Sequence, residues 1–215
     1  MSESPEAFGL RLNALLGEAG LDSLEPALVI SFRDYLSLLL RWNARVNLTA
    51  IRNEDGILSR HFLESIACAR RLPAGIKTLL DFGSGAGFPG IPIALCRPEI
   101  SVTLAESQGK KAAFLQEAVR VLGISAKVHS GRAELLAAQF DCVVLRAVDR
   151  MEMAVQAAAR LVAPGGWLAL MTTGAELASL QAAAGTSFSW ELAAPQLGSE
   201  GRLIAFGRRG VSLPT

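Results

Sequence analysis

The chain has 215 residues, of which 51% are hydrophobic, so it fits one domain of ordinary size with a sizeable core, or such a domain with an extension. Its 21 Lys and Arg nearly balance its 20 Asp and Glu, which excludes a global basic field that would attract polyanions. Residues 33–71 nevertheless carry more basic than acidic side chains. This excess fits a local basic surface or a pair of solvated helices equally well.

The cysteines and the N-terminus indicate the compartment. Cys68, Cys96 and Cys142 each have apolar neighbours, and none belongs to a Cys-x-x-Cys pair. We therefore expect buried thiols in a reducing compartment and no zinc or other metal site. The N-terminus is acidic and lacks both a signal peptide and the about 18 to 20 apolar residues that a membrane span needs. The sequence predicts a cytoplasmic protein without a membrane partner, and a monomer because no apolar stripe is left over.

Helical periodicity marks the first third of the chain. Apolar stripes predict three helices, from Phe8 to Leu16, from Leu28 to Leu39 and from Ile57 to Ala69. Residues 42–49 are polar, not periodic and rich in Trp, Asn and Arg, which is typical of an ordered loop. We expect residues 1–72 to form a helical extension that packs on the rest of the chain, residues 73–215, as one structural unit.

From Ile76 onward the pattern alternates between strands and helices. Apolar runs predict seven strands, at 76–82, 101–106, 125–130, 140–146, 166–172, 187–192 and 202–208, with helices such as 110–122 and 151–163 between them. This alternation indicates a Rossmann-like, doubly wound α/β domain with a mostly parallel seven-stranded sheet. The link 193–201 reads as a loop with Pro and Gly, so we expect the final two strands to pair antiparallel.

A glycine-rich loop follows the first predicted strand. The stretch runs Asp81-Phe82-Gly83-Ser84-Gly85-Ala86-Gly87-Phe88-Pro89-Gly90-Ile91-Pro92. Glycines at this density let the backbone adopt positive φ and bring bare N–H groups against a ligand. Ligands of doubly wound sheets bind outside the carboxyl ends of the strands, where this loop lies. The sequence therefore predicts a small-molecule cofactor with a nucleotide-like part.

Two cofactors fit these glycines. The stretch from Gly85 to Gly90 satisfies G-x-G-x-x-G, and Glu106 follows about 20 residues later as an acid for ribose hydroxyls, which supports NAD. Against NAD, the chain has no substrate domain, and Tyr35 is not followed by Lys four residues later as in short-chain dehydrogenases. Asp81, directly under the loop, would repel a pyrophosphate but attract an ammonium group.

S-adenosylmethionine fits Asp81 better, because it carries no phosphate, has a sulfonium and an amino-acid end, and offers two ribose hydroxyls to Glu106. We therefore expect S-adenosylmethionine on Asp81, Gly85, Gly87 and Glu106. An NAD-dependent oxidoreductase and a non-catalytic RNA-binding module remain alternatives.

The residues after the fourth strand limit the kinds of atom that can accept the methyl group. Arg146-Ala147-Val148-Asp149 stands where amino-group methyltransferases carry Asn/Asp-Pro-Pro-Tyr/Phe, and Cys142 lies inside a strand instead of following a proline. Exocyclic amines and pyrimidine C5 are therefore disfavoured. An acceptor such as guanine N7 has an in-plane lone pair and needs no general base. Catalysis would then be mostly alignment, an effect worth up to about 7 to 11 kcal/mol.

Several polar residues are candidates for RNA contact. Lys110 and Lys111 stand in the first turn of a helix, against its macrodipole, which an RNA phosphate would explain, although two solvated lysines fit as well. Asn43, Arg45 and Asn47 are placed to form a rim around a splayed guanine, unless Asn43 caps a turn. His61 reads as a packed or hydrogen-bonded residue, and Trp42 as a core aromatic or a stacking platform.

Several segments together resemble one family. They are Arg41-Trp42-Asn43-Ala44-Arg45-Val46-Asn47-Leu48-Thr49, Arg60-His61-Phe62-Leu63-Glu64-Ser65, the loop from Asp81 to Pro92, Gly109-Lys110-Lys111, Leu145-Arg146-Ala147 and Gly201-Arg202. In this order and spacing they resemble the RsmG family, also called glucose-inhibited division protein B. The resemblance covers residues 30–208.

The resemblance implies a class I methyltransferase fold and a bacterial enzyme that methylates guanine N7 in the decoding region of 16S ribosomal RNA, free or in the small subunit. It implies that Gly83 and Phe88 line the methionine end, that Glu106 holds ribose, that Ala133 and Glu134 flank adenine and that Arg146 closes the site. It also implies RNA contact at Asn47, Lys110, Lys111, Arg146 and Arg202. The family commonly has Lys-Gly after the fifth strand, where this chain has Thr173-Gly174, so another cation must replace that lysine.

Overall fold

The computed structural model describes residues 4–195 and 201–211. Its helices are α1 (Pro5–Glu18), α2 (Pro26–Asn43), α3 (Glu54–Ile57), α4 (Leu63–Arg71), α5 (Gly90–Cys96), α6 (Gly109–Leu122), α7 (Met151–Leu161) and α8 (Gly174–Ala184). Its strands are β1 (Thr78–Phe82), β2 (Ser101–Ala105), β3 (Ala126–His129), β4 (Phe140–Arg146), β5 (Val162–Thr173), β6 (Phe188–Trp190), β7 (Ala194–Pro195) and β8 (Arg202–Arg209). A π-helical turn (Leu58–Phe62) joins α3 to α4, and a 3₁₀ turn (Ala133–Leu135) follows β3.

All strands belong to one twisted sheet with the order β3-β2-β1-β4-β5-β8-β6, and β7 pairs with β8 beside this path. Strands β1 to β5 are parallel to one another, whereas β8 is antiparallel to β5, β6 and β7. This confirms the doubly wound, mostly parallel sheet with an antiparallel last strand. The seven predicted strands are present, and the two-residue β7 is an addition within the predicted loop 193–201, of which residues 196–200 lie outside the described part.

The boundary between α7 and β5 differs from the prediction. The helix ends at Leu161, and β5 already begins at Val162, which pairs with Phe140. The register shifts before the next pair, Cys142 with Trp167, so the strand accommodates Pro and Gly at an irregularity. A Cβ at Gly166 would lie 2.8 Å from the carbonyl oxygen of Asp141, so this close approach of two strands requires glycine. The prediction was wrong here because Pro and Gly were taken as the end of the preceding helix.

The N-terminal helices and one face of the sheet share a continuous apolar core. The fully buried Phe32, Tyr35 and Phe62 belong to the same cluster as Leu79 and Leu104 of the sheet. The burial of such large side chains is the main favourable contribution to folding. The third predicted helix is interrupted, since α3 and α4 are joined by the π turn.

The cysteines are free thiols. Cys68 and Cys142 are buried and Cys96 is half-buried. Burial raises the pKa of Cys68 to about 12 and that of Cys96 to about 11, which keeps both protonated and unreactive at neutral pH. Within residues 4–195 and 201–211, no group of three or more His, Cys, Asp or Glu side chains is placed to hold a metal ion. In the same ranges, no helix has both the length and the apolar character that crossing a membrane requires.

Candidate active site

The glycine-rich loop leaves β1 in a conformation that only glycine adopts without strain. Gly83, Gly85 and Gly87 have φ values of 75°, 56° and 91°. The backbone N–H groups of Gly83 and Ser84 both donate to the carbonyl of Ala105, at 3.0 and 2.9 Å. The start of the loop is thereby fixed to the end of β2, at the carboxyl edge of the sheet.

A cavity of about 590 Å³ opens beside this loop, within the size range of cofactor sites. Four predicted cofactor residues line it, Gly83, Glu106, Ala133 and Glu134. The other lining residues are Phe82, Ala105, Ser107, Gln108, Gly131, Arg132, Val148, Asp149, Arg150, Met153, Ala154 and Ala157. Sequence reasoning missed the contributions of the β4–α7 loop and of α7, which carry no motif.

Glu106 is the buried carboxylate of the cavity, with 7% of the residue exposed. Its Oε2 accepts a hydrogen bond from the N–H of Gly85 at 3.0 Å, and its Oε1 accepts one from the N–H of Gln108 at 2.7 Å. Each carboxylate oxygen keeps a further lone pair for a ligand hydroxyl. The side chain is therefore held in place before any ligand binds.

Asp81 lies under the loop and is not among the described residues that line the cavity. Its Oδ2 accepts a hydrogen bond from the N–H of Gly90 at 3.1 Å, while its Oδ1 is buried and has no partner among the described residues. Loss of hydration raises the pKa of Asp81 to about 7. A Cβ at Gly90 would lie 2.5 Å from Oδ2, so the start of α5 packs directly on this carboxyl.

The β4–α7 loop borders the cavity with a strained backbone. Ala147 and Arg150 both have φ of 50°, a left-handed conformation that is unfavourable for residues with a Cβ. Between them, Val148 packs so closely over Gly83 that an added Cβ would lie 3.1 Å from its Cγ2. Strain of this kind concentrates at ligand sites, where the surrounding structure maintains it.

A second group of polar residues surrounds the fully buried Glu64 of α4, which sequence reasoning did not single out. Its Oε2 accepts a hydrogen bond from Arg146 Nη2 at 2.8 Å, Arg202 Nη1 lies 3.5 Å from both carboxylate oxygens, and Arg60 Nε lies 3.7 Å away. We call Arg60, Glu64, Arg146 and Arg202 the arginine cluster. Its formal charge is positive, because three guanidinium groups share one carboxylate.

Arg146 is largely enclosed by the protein. Only 7% of its side chain is exposed, and Nη2 also donates to the carbonyl of Arg60 at 2.7 Å. Arg60 belongs to the π turn, so this contact joins Arg146 to the segment between α3 and α4. The guanidinium lies 5.9 Å from the ring centre of Phe88, and neither residue is among those that line the cavity.

His61 connects the arginine cluster to the polar loop after α2. Its Nδ1 lies 3.0 Å from Arg146 Nη2, and its Nε2 lies 2.7 Å from Thr49 Oγ1. Burial and the neighbouring guanidinium groups lower the pKa of His61 to about 3. The ring stacks on Phe88 at 4.6 Å, which agrees with the prediction of a packed and hydrogen-bonded histidine.

The remaining predicted RNA residues are spread over the surface. Asn47 is exposed and accepts a hydrogen bond from Arg52, whereas Asn43 is buried and its Oδ1 caps the turn by accepting from the N–H groups of Leu48 and Thr49. In the first turn of α6, Lys110 is exposed and Lys111 half-buried. Trp42 packs on Phe114 and donates to Glu117.

The sheet order, the glycine loop and the acidic residue at the end of β2 define a class I methyltransferase fold. Solved structures agree: the mitomycin 7-O-methyltransferase MmcR covers 96% of this chain with 72% of its own, with a TM-score of 0.62 and 17% identity. A ribosomal protein L11 methylase from Lactobacillus delbrueckii subsp. bulgaricus covers 74% with 80% of its own, with a TM-score of 0.57 and 15% identity. At such identities the likeness concerns the fold alone.

The sequence model of the family described as rRNA small subunit methyltransferase G matches residues 29–200. The chain is 42% identical over 174 residues to ribosomal RNA small subunit methyltransferase G from Stenotrophomonas maltophilia, covering 80% of this chain and 81% of the relative. It is 43% identical over 152 residues to the protein of the same name from Xanthomonas euvesicatoria, covering 69% and 71%. The chain belongs to the rRNA small subunit methyltransferase G family, which confirms the resemblance found in the sequence.

Proposed function

We propose that the protein transfers a methyl group from S-adenosylmethionine to N7 of a guanine in the decoding region of 16S rRNA. Membership of the family makes it an rRNA methyltransferase. The cavity beside the glycine loop supports the cofactor part of the proposal, because it combines a buried carboxylate with left-handed glycine backbone at the carboxyl edge of the sheet. The guanine N7 acceptor is proposed from the family resemblance. We propose that the protein acts in the cytoplasm, where such a substrate is found, and that it acts there as a monomer.

Glu106, Ala133, Glu134 and Gly83 are proposed to hold the adenosine part and the start of the methionine part. Glu106 offers two fixed carboxylate oxygens to the ribose hydroxyls, and its hydrogen bonds to the loop mean that it need not reorganise. The apolar side chains of Ala133 and Met153 offer surface to the adenine ring. When bound, S-adenosylmethionine supplies an electrophilic methyl group on its sulfonium.

The remaining cofactor contacts are proposed to come from the end of β1, the rest of the glycine loop and the end of β4. The residues are Asp81, Gly85, Gly87, Phe88 and Arg146. The unpaired Oδ1 of Asp81 is a buried acceptor without a donor, a situation that a nearby ammonium group would relieve. A cation close to Asp81 would also favour its ionised form and lower its pKa again. A pyrophosphate would have the opposite effect, which is why the geometry supports a methionine end more than NAD.

An N7 acceptor needs no general base. His61 is poorly suited to that role, because burial and the neighbouring guanidinium groups lower its pKa to about 3. Guanine N7 already presents its lone pair, so the protein has only to align it with the methyl group. We propose that the contribution of the protein to the rate is positioning.

The RNA is proposed to lie across the arginine cluster and the first turn of α6, contacting Asn47, Lys110, Lys111, Arg146 and Arg202. Arg202 is the cross-strand neighbour of Thr173, which stands where the family commonly has lysine. Only 21% of the Arg202 side chain is exposed, but its guanidinium supplies a cation next to that position. We propose that Arg202 replaces the charge of the family lysine.

The direct test uses purified protein, labelled S-adenosylmethionine and either naked 16S rRNA or small subunits that lack the modification. The expected product is labelled 7-methylguanosine at one position, found after digestion to nucleosides. Glu106→Gln serves as the variant with a weakened cofactor site, and Glu152→Gln as its matched control at an exposed carboxylate of α7 that does not line the cavity. Comparison of the two RNA forms identifies the substrate.

Label in another nucleoside, or none with either RNA, would contradict the proposal. Calorimetric titration with S-adenosylhomocysteine and with NADH separates the alternatives without relying on turnover. Binding of NADH alone would indicate an oxidoreductase. RNA binding with neither small molecule would indicate a non-catalytic module. Light scattering in solution checks the monomer.

A further inference from the structure

The glycine loop has one hydrogen bond to the helical extension that none of its motifs reveals. The hydroxyl of Tyr35, in the middle of α2, donates to the carbonyl of Ala86 at 2.5 Å. Tyr35 is fully buried, and Ala86 is 6% exposed. These two residues are 51 positions apart, so the bond joins the extension to the part of the loop between Gly85 and Gly87.

The fit around this hydroxyl is close. A Cβ at Gly87 would lie 2.8 Å from Tyr35 Oη and 2.5 Å from Ile91 Cδ1, so the backbone of the loop packs directly against the phenol. The Tyr35 ring also packs on Phe62 and Phe88, with ring centres 5.5 and 5.3 Å away. The start of the loop is fixed by β2, but its middle is fixed by α2.

We propose that Tyr35 is a positioning residue for the cofactor loop and that the extension therefore forms part of the cofactor site. This inference rests on the proposed function, since it assigns the loop to S-adenosylmethionine. Without the hydroxyl, the carbonyl of Ala86 would lose this partner in a buried position, and the loop would populate other conformations to reach a donor. Affinity would then fall in proportion to the fraction of molecules that keep the binding-competent loop.

The test is Tyr35→Phe, which removes the hydroxyl and keeps the ring. The expected result is a Kd for S-adenosylhomocysteine about ten times higher, the amount that one buried hydrogen bond is worth. The KM for S-adenosylmethionine should rise by the same factor, whereas kcat at saturating cofactor and the KM for RNA should change less than about twofold. A purely structural role would not produce this separation.

The matched control is Phe32→Leu, one helical turn earlier on α2 and equally buried, which packs on Phe62 and has no hydroxyl to donate to the loop. It should lower the urea midpoint without raising the Kd. An unchanged Kd in Tyr35→Phe, or an equal rise in Phe32→Leu, would overturn the inference. A wild-type protein that does not bind S-adenosylhomocysteine would overturn the proposed function and this inference with it.

Discussion

A buried carboxylate lies on each side of the glycine loop, and the two carboxylates are held by different kinds of partner. On the cavity side, Glu106 is hydrogen-bonded to backbone N–H groups and faces an open space. On the other side, Glu64 is enclosed by arginine side chains: it accepts a hydrogen bond from Arg146 and forms an ion pair with Arg202. Arg146 also donates to the backbone carbonyl of Arg60. A carboxylate held by backbone N–H groups therefore remains available to a ligand. A carboxylate held by buried guanidinium groups contributes to the stability of the fold instead of binding a ligand.

The largest effect should come from the enclosed side. Glu64→Gln removes the carboxylate that balances the buried guanidinium of Arg146, and we expect the free energy of unfolding to fall by about 3 to 5 kcal/mol. Urea denaturation measures it. Glu99→Gln breaks an exposed pair with Arg97 and should cost less than about 1 kcal/mol. Equal losses in the two variants would mean that the arginine cluster is as solvated as the surface.

On the cavity side the loss should appear in binding. Glu106→Gln replaces one of the two carboxylate oxygens proposed to accept hydrogen bonds from the ribose hydroxyls, and hydrogen bonds to charged groups are worth about 1.5 to 3 kcal/mol. We expect the Kd for S-adenosylhomocysteine to rise by about 10- to 100-fold, measured by calorimetry. If Glu106→Gln lost stability and not affinity, the distinction between the two sides would fail.

Protonation gives a third comparison, between Asp81 under the loop and His61 beside the arginine cluster. The pKa of Asp81 is raised from 3.8 to about 7, so between these values the folded protein keeps a proton that the unfolded chain releases, and stability falls as pH rises. The pKa of His61 is lowered from 6.5 to about 3, so the unfolded chain takes up a proton there and stability rises with pH. The two slopes oppose each other.

Asp81→Asn should therefore unmask the contribution of His61. Between pH 4 and pH 6.5 we expect the unfolding free energy of the variant to rise with pH by about 1.4 kcal/mol per unit more than that of the wild type. Denaturation in urea at several pH values measures this slope. Asp141→Asn is the control, because hydrogen bonds lower the pKa of Asp141 and it should not alter the slope above pH 5. Parallel wild-type and Asp81→Asn curves would refute the assignment.

The smallest effect concerns the exposed Lys110 in the first turn of α6. Lys110→Gln removes a cation from the N-terminus of α6 and should raise the unfolding free energy by about 0.3 to 0.5 kcal/mol. The same change should weaken RNA binding and reduce the slope of log affinity against log salt by about one. Filter binding at several salt concentrations tests this, with Lys127→Gln on β3 as control. A variant that loses both stability and RNA affinity would contradict the opposite signs expected here.

The sequence predicted the features that depend on local pattern. Apolar runs marked the strands, and the glycines with Glu106 marked the cavity, because strand, loop and acid follow one another at short spacing. The roles of Glu64 and Tyr35 depend on contacts across 82 and 51 positions, which no spacing rule gives. A signal for Tyr35 did exist, since a tyrosine on the apolar face of a helix needs a partner for its hydroxyl.

The π turn explains why Arg146 was difficult to place. Its position at the end of β4 suggested a side chain over the cofactor, but the turn presents a carbonyl and His61 to the guanidinium. Its contact with cofactor or RNA remains a prediction, as do the other site assignments and the division of the chain at residue 72. Asp81, selected for its charge, lies beneath the loop, where its role in holding Gly90 had no sequence signature.

Strand β8 has a consequence for the order in which the sheet is completed during synthesis. It lies between β5 and β6, and it is the strand to which β6 and β7 pair in the described part of the chain. As the ribosome releases the chain from its N-terminus, β1 to β5 can assemble while β6 and β7 still lack a neighbour. The edge of β5 stays open until residues 202–209 emerge. Strand β8 therefore locks two earlier strands, β6 and β7, into the sheet.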